Sequence, residues 1–211
     1  MLLYLCRHAQ TASSAVDSFN GRRELLLTQE GRRQATRLGA RLRSVRFDAV
    51  FRSPLARTGE TAALVAPSLD ATVLEGLTEI DYGAWEGLSP AQARALDPAR
   101  YDAWEEDPTK TAPPAGETAA RVAERAVAAI EEISRRVPDG RVLAVSHKAT
   151  LRILASALTG GPIARYRKTW AQDECALNLV ELRTGKPAFV RLWNDTAHLG
   201  LDPGETTRGG H

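Results

Sequence analysis
The sequence predicts an α/β fold in which a largely parallel sheet is covered by helices on both faces. Two observations carry this. Short runs rich in Val, Leu and aromatics alternate with longer amphipathic stretches, the signature of βαβ units. The chain of 211 residues is also 43% hydrophobic and 26% charged, enough to bury a substantial core in one elaborated domain spanning 1–200.

The elements follow in order. "LLYLC" reads as a buried first strand ending at Arg7, and Thr28 to Leu42 as an amphipathic helix. "FDAVF" is a second strand and Leu55 to Val65 the helix behind it, with Ser53 as N-cap and Pro54 just inside. The segment 77–138 looks like an insertion over the sheet, a lid that opens with aromatic and acidic residues. It passes the loop "EDPTKTAPPAGET" and enters a helix with Val122, Ala126, Ile130, Ile133 and Val137 inward. "RVLAVS", Arg141 to Ser146, is another buried strand, and "KATLRILASALTG" the helix after it, stopped by Gly160 and Gly161. "LNLVEL" and "AFVRLW" form a hairpin about a turn at Thr184 to Pro187, whose apolar surface is read as either a sheet edge or a homodimer contact. Residues 201–211, rich in Gly and Thr, read as a frayed tail.

Composition excludes several classes. A net charge of +2, with Arg and Glu interspersed along helices, gives no nucleic-acid footprint. The apolar run before Arg7 is too short for a signal peptide, and no later segment has about 18 uninterrupted apolar residues, so the expectation is a cytoplasmic protein without a membrane partner. Cys6 and Cys175 are read as reduced core residues.

Ligands of open α/β sheets collect outside the carboxyl ends of the strands. The polar groups expected there are Arg7 and His8, Ser53 with Arg57, Glu79, and His147. Arginine grips phosphate or carboxylate through its planar fork. Arg57 sits one turn into a helix, where a cation is unfavourable unless an anion joins it. The amides of Lys148, Ala149 and Thr150 after His147 open a helix that can receive an anion. Glu79 lies in "GLTEIDYGAWEG", where Asp81 and Glu86 compete with it as the proton donor beside an anion. Other chemistries find no support. Arg is absent six positions after either cysteine, where Ala12 and Glu181 stand. Ser146 lacks the flanking glycines of a hydrolase elbow, and the histidines have no HExxH spacing.

Taken together these motifs resemble the histidine phosphatase superfamily in its phosphoglycerate-mutase-like branch. The matching segments are "RHAQT", "GRRELLLTQEGRRQA", "SPLARTGETA", "LTEIDYGAWEG" and "VSHKATLR", in family order, with "LWNDTAHL" similar to the end of some members. The resemblance implies a three-layer α/β/α sandwich. It implies His8 as nucleophile, Glu79 as proton donor, and Arg7, Arg57 and His147 around the phosphate, flanked by Gln10 and Thr11, with Gly21 in a loop nearby. It implies hydrolysis of a small phosphorylated metabolite through a phosphohistidine, with no metal and no cofactor. A phosphoglycerate mutase, or a non-catalytic phosphate-binding regulatory module, are the alternatives. Three positions depart from the family pattern: Ala9 replaces a glycine, Ser14 stands where many relatives have asparagine, and Lys148 with Ala149 replaces a small pair. Trp85, Tyr101 and Trp104 are read as aromatic core in preference to stacking surfaces for a substrate.

Overall fold
The computed structural model describes residues 1–15, 18–183 and 185–200. The expected tail at 201–211 and Thr184 of the expected turn lie outside them. Six strands form one sheet: β1 (Leu2–Arg7), β2 (Ala49–Arg52), β3 (Ala71–Val73), β4 (Arg141–Ser146), β5 (Leu177–Glu181) and β6 (Phe189–Asp195). Their order is β3-β2-β4-β1-β5-β6. β1, β2, β3 and β4 pair in parallel, β5 runs antiparallel to β1, and β6 antiparallel to β5. The sheet is therefore mostly parallel, and the C-terminal hairpin forms its edge.

Alternate residues of the central strands bury into two separate cores, as a strand's period of two requires. Leu3, Leu5, Phe51, Val142 and Ala144 pack under α5 (Ala119–Arg136) and α6 (Lys148–Thr159). Cys6, Val50, Leu143 and Val145 pack under α1 (Gln29–Leu42) and α2 (Ala56–Val65). This is the three-layer sandwich. Both cysteines are free and buried.

The segment 77–138 divides. Its C-terminal part is α5, a full member of one helical layer, with Val122, Ala126, Ile130 and Ile133 buried. The part before it contains two short helices, α3 (Pro90–Leu96) and α4 (Pro98–Glu106), each with Pro at its start and capped by Ser89 and Asp97. They enclose a small core of their own: Trp85, Ala93, Tyr101 and Trp104 with Phe19, Tyr82 and Leu88. Trp85 meets Trp104 edge-on at 5.2 Å between centroids. The three aromatics are thus mainly packing residues.

Thr28 caps α1 by accepting from Gly31 N at 2.9 Å, and its own backbone N–H donates to Gln10 O at 3.0 Å. Gly31 leaves room for this approach, because a Cβ there would stand 2.1 Å from Gln10 O. We expect Gly31→Ala to destabilise the fold by about 1–3 kcal/mol through overpacking, measured by urea denaturation, whatever helix propensity alanine adds.

Candidate active site
Register builds the site. On the parallel neighbours β1 and β4, Arg7 is paired with Ser146, so His8 and His147 are the next residues out of two adjacent strands. His8 N–H continues the ladder to Ser146 O at 2.9 Å, and Ser53 N–H donates to Val145 O at 3.1 Å. Three segments far apart in sequence therefore leave the sheet side by side. The imidazole centroids of His8 and His147 are 5.2 Å apart.

Arg7, His8, Thr11, Arg57 and Glu79 line one cavity of about 960 Å³. The Nδ1 of His8 lies 2.8 Å from the carbonyl of Ala9. A carbonyl only accepts, so Nδ1 carries the proton and Nε2 keeps its lone pair. Ala9 lies outside the left-handed region, so it fits where the family has glycine, and its N–H donates to Thr61 Oγ1 at 3.1 Å. Arg7 is 8% exposed and fixed by Nη1 donating to Gln172 O at 2.8 Å, with Glu174 3.8 Å away. Arg57, 2% exposed, donates to Gly21 O at 2.8 Å and to Arg23 O at 2.7 Å, pinning the loop before α1.

His147 stands behind His8, fully buried and outside the cavity's lining. Its Nε2 is 2.7 Å from Ser53 Oγ, and its Nδ1 has no hydrogen-bond partner among the described residues. Ser53 serves this contact and accepts from Leu55 N–H at 3.2 Å, so α2 begins at Ala56 with no side-chain cap. The helix starts two residues later than Pro54 suggests, with Leu55 in extended geometry at its N-cap.

Of the three competing acids, Glu79 is the buried one. Its Oε1 accepts from Ile80 N, Thr150 N and Thr150 Oγ1 at 2.9, 3.0 and 3.0 Å, and its Oε2 from Ala149 N at 3.2 Å. The α6 amides expected to receive an external anion thus hold this carboxyl. Asp81 accepts from Gly83 N, and Glu86 from Arg22 N. Arg125 on α5, paired with Glu117 at 2.8 Å, donates to the carbonyls of Gly76, Thr78 and Glu79 and so sets the Glu79 backbone.

Gln10 is placed differently from Thr11. Its Oε1 accepts from Thr28 Oγ1 at 2.8 Å, and it does not line the cavity. Thr11 N–H donates to Ser14 Oγ at 3.0 Å, and Ser14 and Lys148 also line the cavity. Sequence reasoning missed Gln172, Glu174 and Arg125. Two of them act through backbone carbonyls, which leave no residue-type signature.

Burial, then the charges of Arg57 and Arg7, push His8 well below the ordinary imidazole range. Burial, Arg57 and His8 do the same to His147. Both rings are therefore neutral at neutral pH. Among the described residues, no group of three or more His, Cys, Asp or Glu side chains is disposed to hold a metal ion, and no helix is long and apolar enough to cross a membrane.

An open α/β sheet here gathers two arginines and two neutral imidazoles at the carboxyl ends of its strands, the place where such sheets bind their ligands. The chain belongs to the histidine phosphatase superfamily (branch 1), whose profile matches residues 3–196. It is 28% identical to phosphoserine phosphatase 1 of Hydrogenobacter thermophilus over 94% of each chain. It is 34% identical to a 2,3-bisphosphoglycerate-dependent phosphoglycerate mutase of a Methylobacterium species, over 92% of this chain and 93% of that one. The solved structure of YhfR from Bacillus stearothermophilus superposes with a TM-score of 0.86 at 30% identity, covering 94% of this chain and 98% of the other.

An imidazole whose folded value is depressed takes up a proton more readily in the unfolded chain. Stability is therefore full above the ordinary value near 6.5 and is lost as pH falls below it. His198, pushed down to about 4 by burial and Arg41, acts in the same direction. We expect the thermal midpoint to fall between about pH 7 and pH 5, and the fall to be shallower in His147→Asn, as scanning calorimetry at the two pH values will measure.

Proposed function
We propose that this protein is a phosphomonoesterase that hydrolyses a small phosphorylated metabolite through a phosphohistidine on His8. The observation that carries the reading is the fixed tautomer of His8, which turns an unprotonated Nε2 loose beside two buried guanidiniums on one cavity wall. In the first step Nε2 attacks phosphorus in line, the P–O bond to the alcohol breaks, and the leaving oxygen takes a proton from Glu79. In the second, Glu79 accepts a proton from water, which cleaves the P–N bond and releases phosphate and neutral His8.

Arg7 and Arg57, both on the cavity wall, supply positive charge to the equatorial oxygens, the task divalent metals perform in other phosphoryl-transfer sites, while His147 backs His8 from outside the cavity's lining. Burial, and then the same cations, keep His8 deprotonated and nucleophilic. On this reading turnover needs no metal, and phosphate release persists with a chelator present.

The mutase relative favours a second reading, in which the phosphohistidine is shielded from water and returned to another hydroxyl. Interconversion of 3- and 2-phosphoglycerate, stimulated by the bisphosphate and faster than phosphate release, selects that reading.

The experiment is a chelated phosphate-release screen over phosphomonoesters with His8→Ala as control. We expect His8→Ala to lose activity by a factor of about 10³ or more. Rapid quenching of the unsubstituted protein should trap an acid-labile, alkali-stable phosphoenzyme; its absence during turnover counts against the covalent route. Glu79→Gln should slow hydrolysis of alkyl phosphates by about 10²–10⁴ and that of p-nitrophenyl phosphate far less, because nitrophenolate leaves without protonation. Equal losses on both substrates remove Glu79 from the role of acid.

A further inference from the structure
The cavity wall carries one more buried guanidinium. Arg152 lies on α6, one turn beyond Lys148, is 8% exposed, and lines the same cavity as His8 and Arg57. Its Nη2 donates to the carbonyl of Arg167, and its Nε is buried with no hydrogen-bond partner among the described residues. The Tyr166 ring lies 5.8 Å from Cζ, a long and weak cation–π contact.

Among the described residues Arg152 forms no ion pair with an acid, whereas its neighbours Arg7 and Arg167 lie 3.8 Å from Glu174 and 3.1 Å from Glu105. Arg7 feels Glu174 and Glu79, and Arg57 feels Glu79 and Glu24. Burial disfavours the cation of Arg152, and the repulsive neighbouring charges of Arg167 and Arg7 add to that effect. The three acids that line the same cavity are engaged elsewhere: Glu105 pairs with Arg167 at 3.1 Å, Asp173 accepts from Asn194 Nδ2 at 2.8 Å, and Glu79 accepts from the amides of Ile80, Ala149 and Thr150. Arginine does not deprotonate in proteins, so this site holds a largely desolvated cation, met by one carbonyl and a weak ring contact, that an arriving anion would compensate. The cavity, at about 960 Å³, has room for far more than one phosphate group.

We propose that Arg152 receives a second anionic group, a carboxylate or a second phosphate, on the phosphomonoester whose first phosphate is held at Arg7, His8 and Arg57. This rests on the phosphomonoesterase reading and narrows its substrates to esters with two anionic ends. Arg7, His8, Arg57 and Arg152 line a single cavity, so one ligand within it can meet both anion positions.

The test measures binding by calorimetry to the full chain carrying His8→Ala, which removes the nucleophile and leaves Arg152 in place. O-Phosphoserine is compared with O-phosphoethanolamine, which lacks only the carboxylate, and 1,3-propanediol bisphosphate with 3-hydroxypropyl phosphate, which lacks only the second phosphate. We expect one pair to show a preference of about tenfold or more for the doubly anionic member. That preference should collapse when Arg152→Met is added and return in part with Arg152→Lys; the pair that shows it names the second anion. A purely structural Arg152 shifts both members of a pair equally and leaves their ratio unchanged. Lack of preference in both pairs, or a preference that survives Arg152→Met, overturns the proposal. Failure of the phosphomonoesterase reading is seen separately, as no phosphate release from any ester by the chain with His8 intact.

Discussion

The pairing of β1 with β4 is the constraint on which the site depends. Two parallel strands in register deliver their next residues to the same place, and here those residues are histidines separated by most of the chain. Because the pairing is parallel, the amide and carbonyl groups at the strand ends continue the ladder into the loops, as His8 N–H to Ser146 O does. A slip of one residue would send every side chain of the slipped strand to the opposite core and take its imidazole away from the other. The apolar alternation that fills the two cores therefore also aligns the chemistry.

Gathering cations at one end of a sheet is unfavourable unless something holds them. The protein uses backbone carbonyls for much of this, with Gln172, Gly21 and Arg23 accepting from Arg7 and Arg57. Carbonyl dipoles orient a guanidinium without cancelling its charge, so the positive potential that a ligand meets is preserved. Glu79 is treated differently. Its carboxyl is satisfied by amides and a hydroxyl at the start of α6, and its backbone by Arg125. The acid is thus held by the helix that follows His147, which ties the position of the proposed proton donor to the position of the second imidazole.

Much of this was legible in the sequence. β4 coincides with the Arg141–Ser146 run, and α1, α2 and α6 fall within one or two residues of their expected bounds, because apolar periodicity and glycine stops are strong local signals. β3 was not legible, since three residues at a sheet edge carry little pattern. α3 and α4 were hidden in a segment whose aromatics serve a local cluster. At the site, residue type pointed to His8, Arg7, Arg57, Glu79 and His147, and the structure brings them together. It also separates them by depth, setting His147 behind the cavity wall and turning Gln10 toward Thr28. Depth and direction depend on tertiary packing, and no spacing rule encodes them. Arg152 was equally hidden, since an arginine inside a helical pattern reads as a solvated face unless the helix is known to be covered all round.

The aromatic cluster of Trp85, Tyr101 and Trp104 is a core apart from the two that flank the sheet. Changes at well-separated positions add nearly independently in free energy. Substitutions that reshape this small core alter the part of the cavity wall formed by Phe19, Tyr82, Tyr101 and Trp104 while leaving the packing of the sandwich in place. In this chain the cavity lining is thereby divided between Tyr101 and Trp104 of the small aromatic core and Arg7 and His8 at the end of β1.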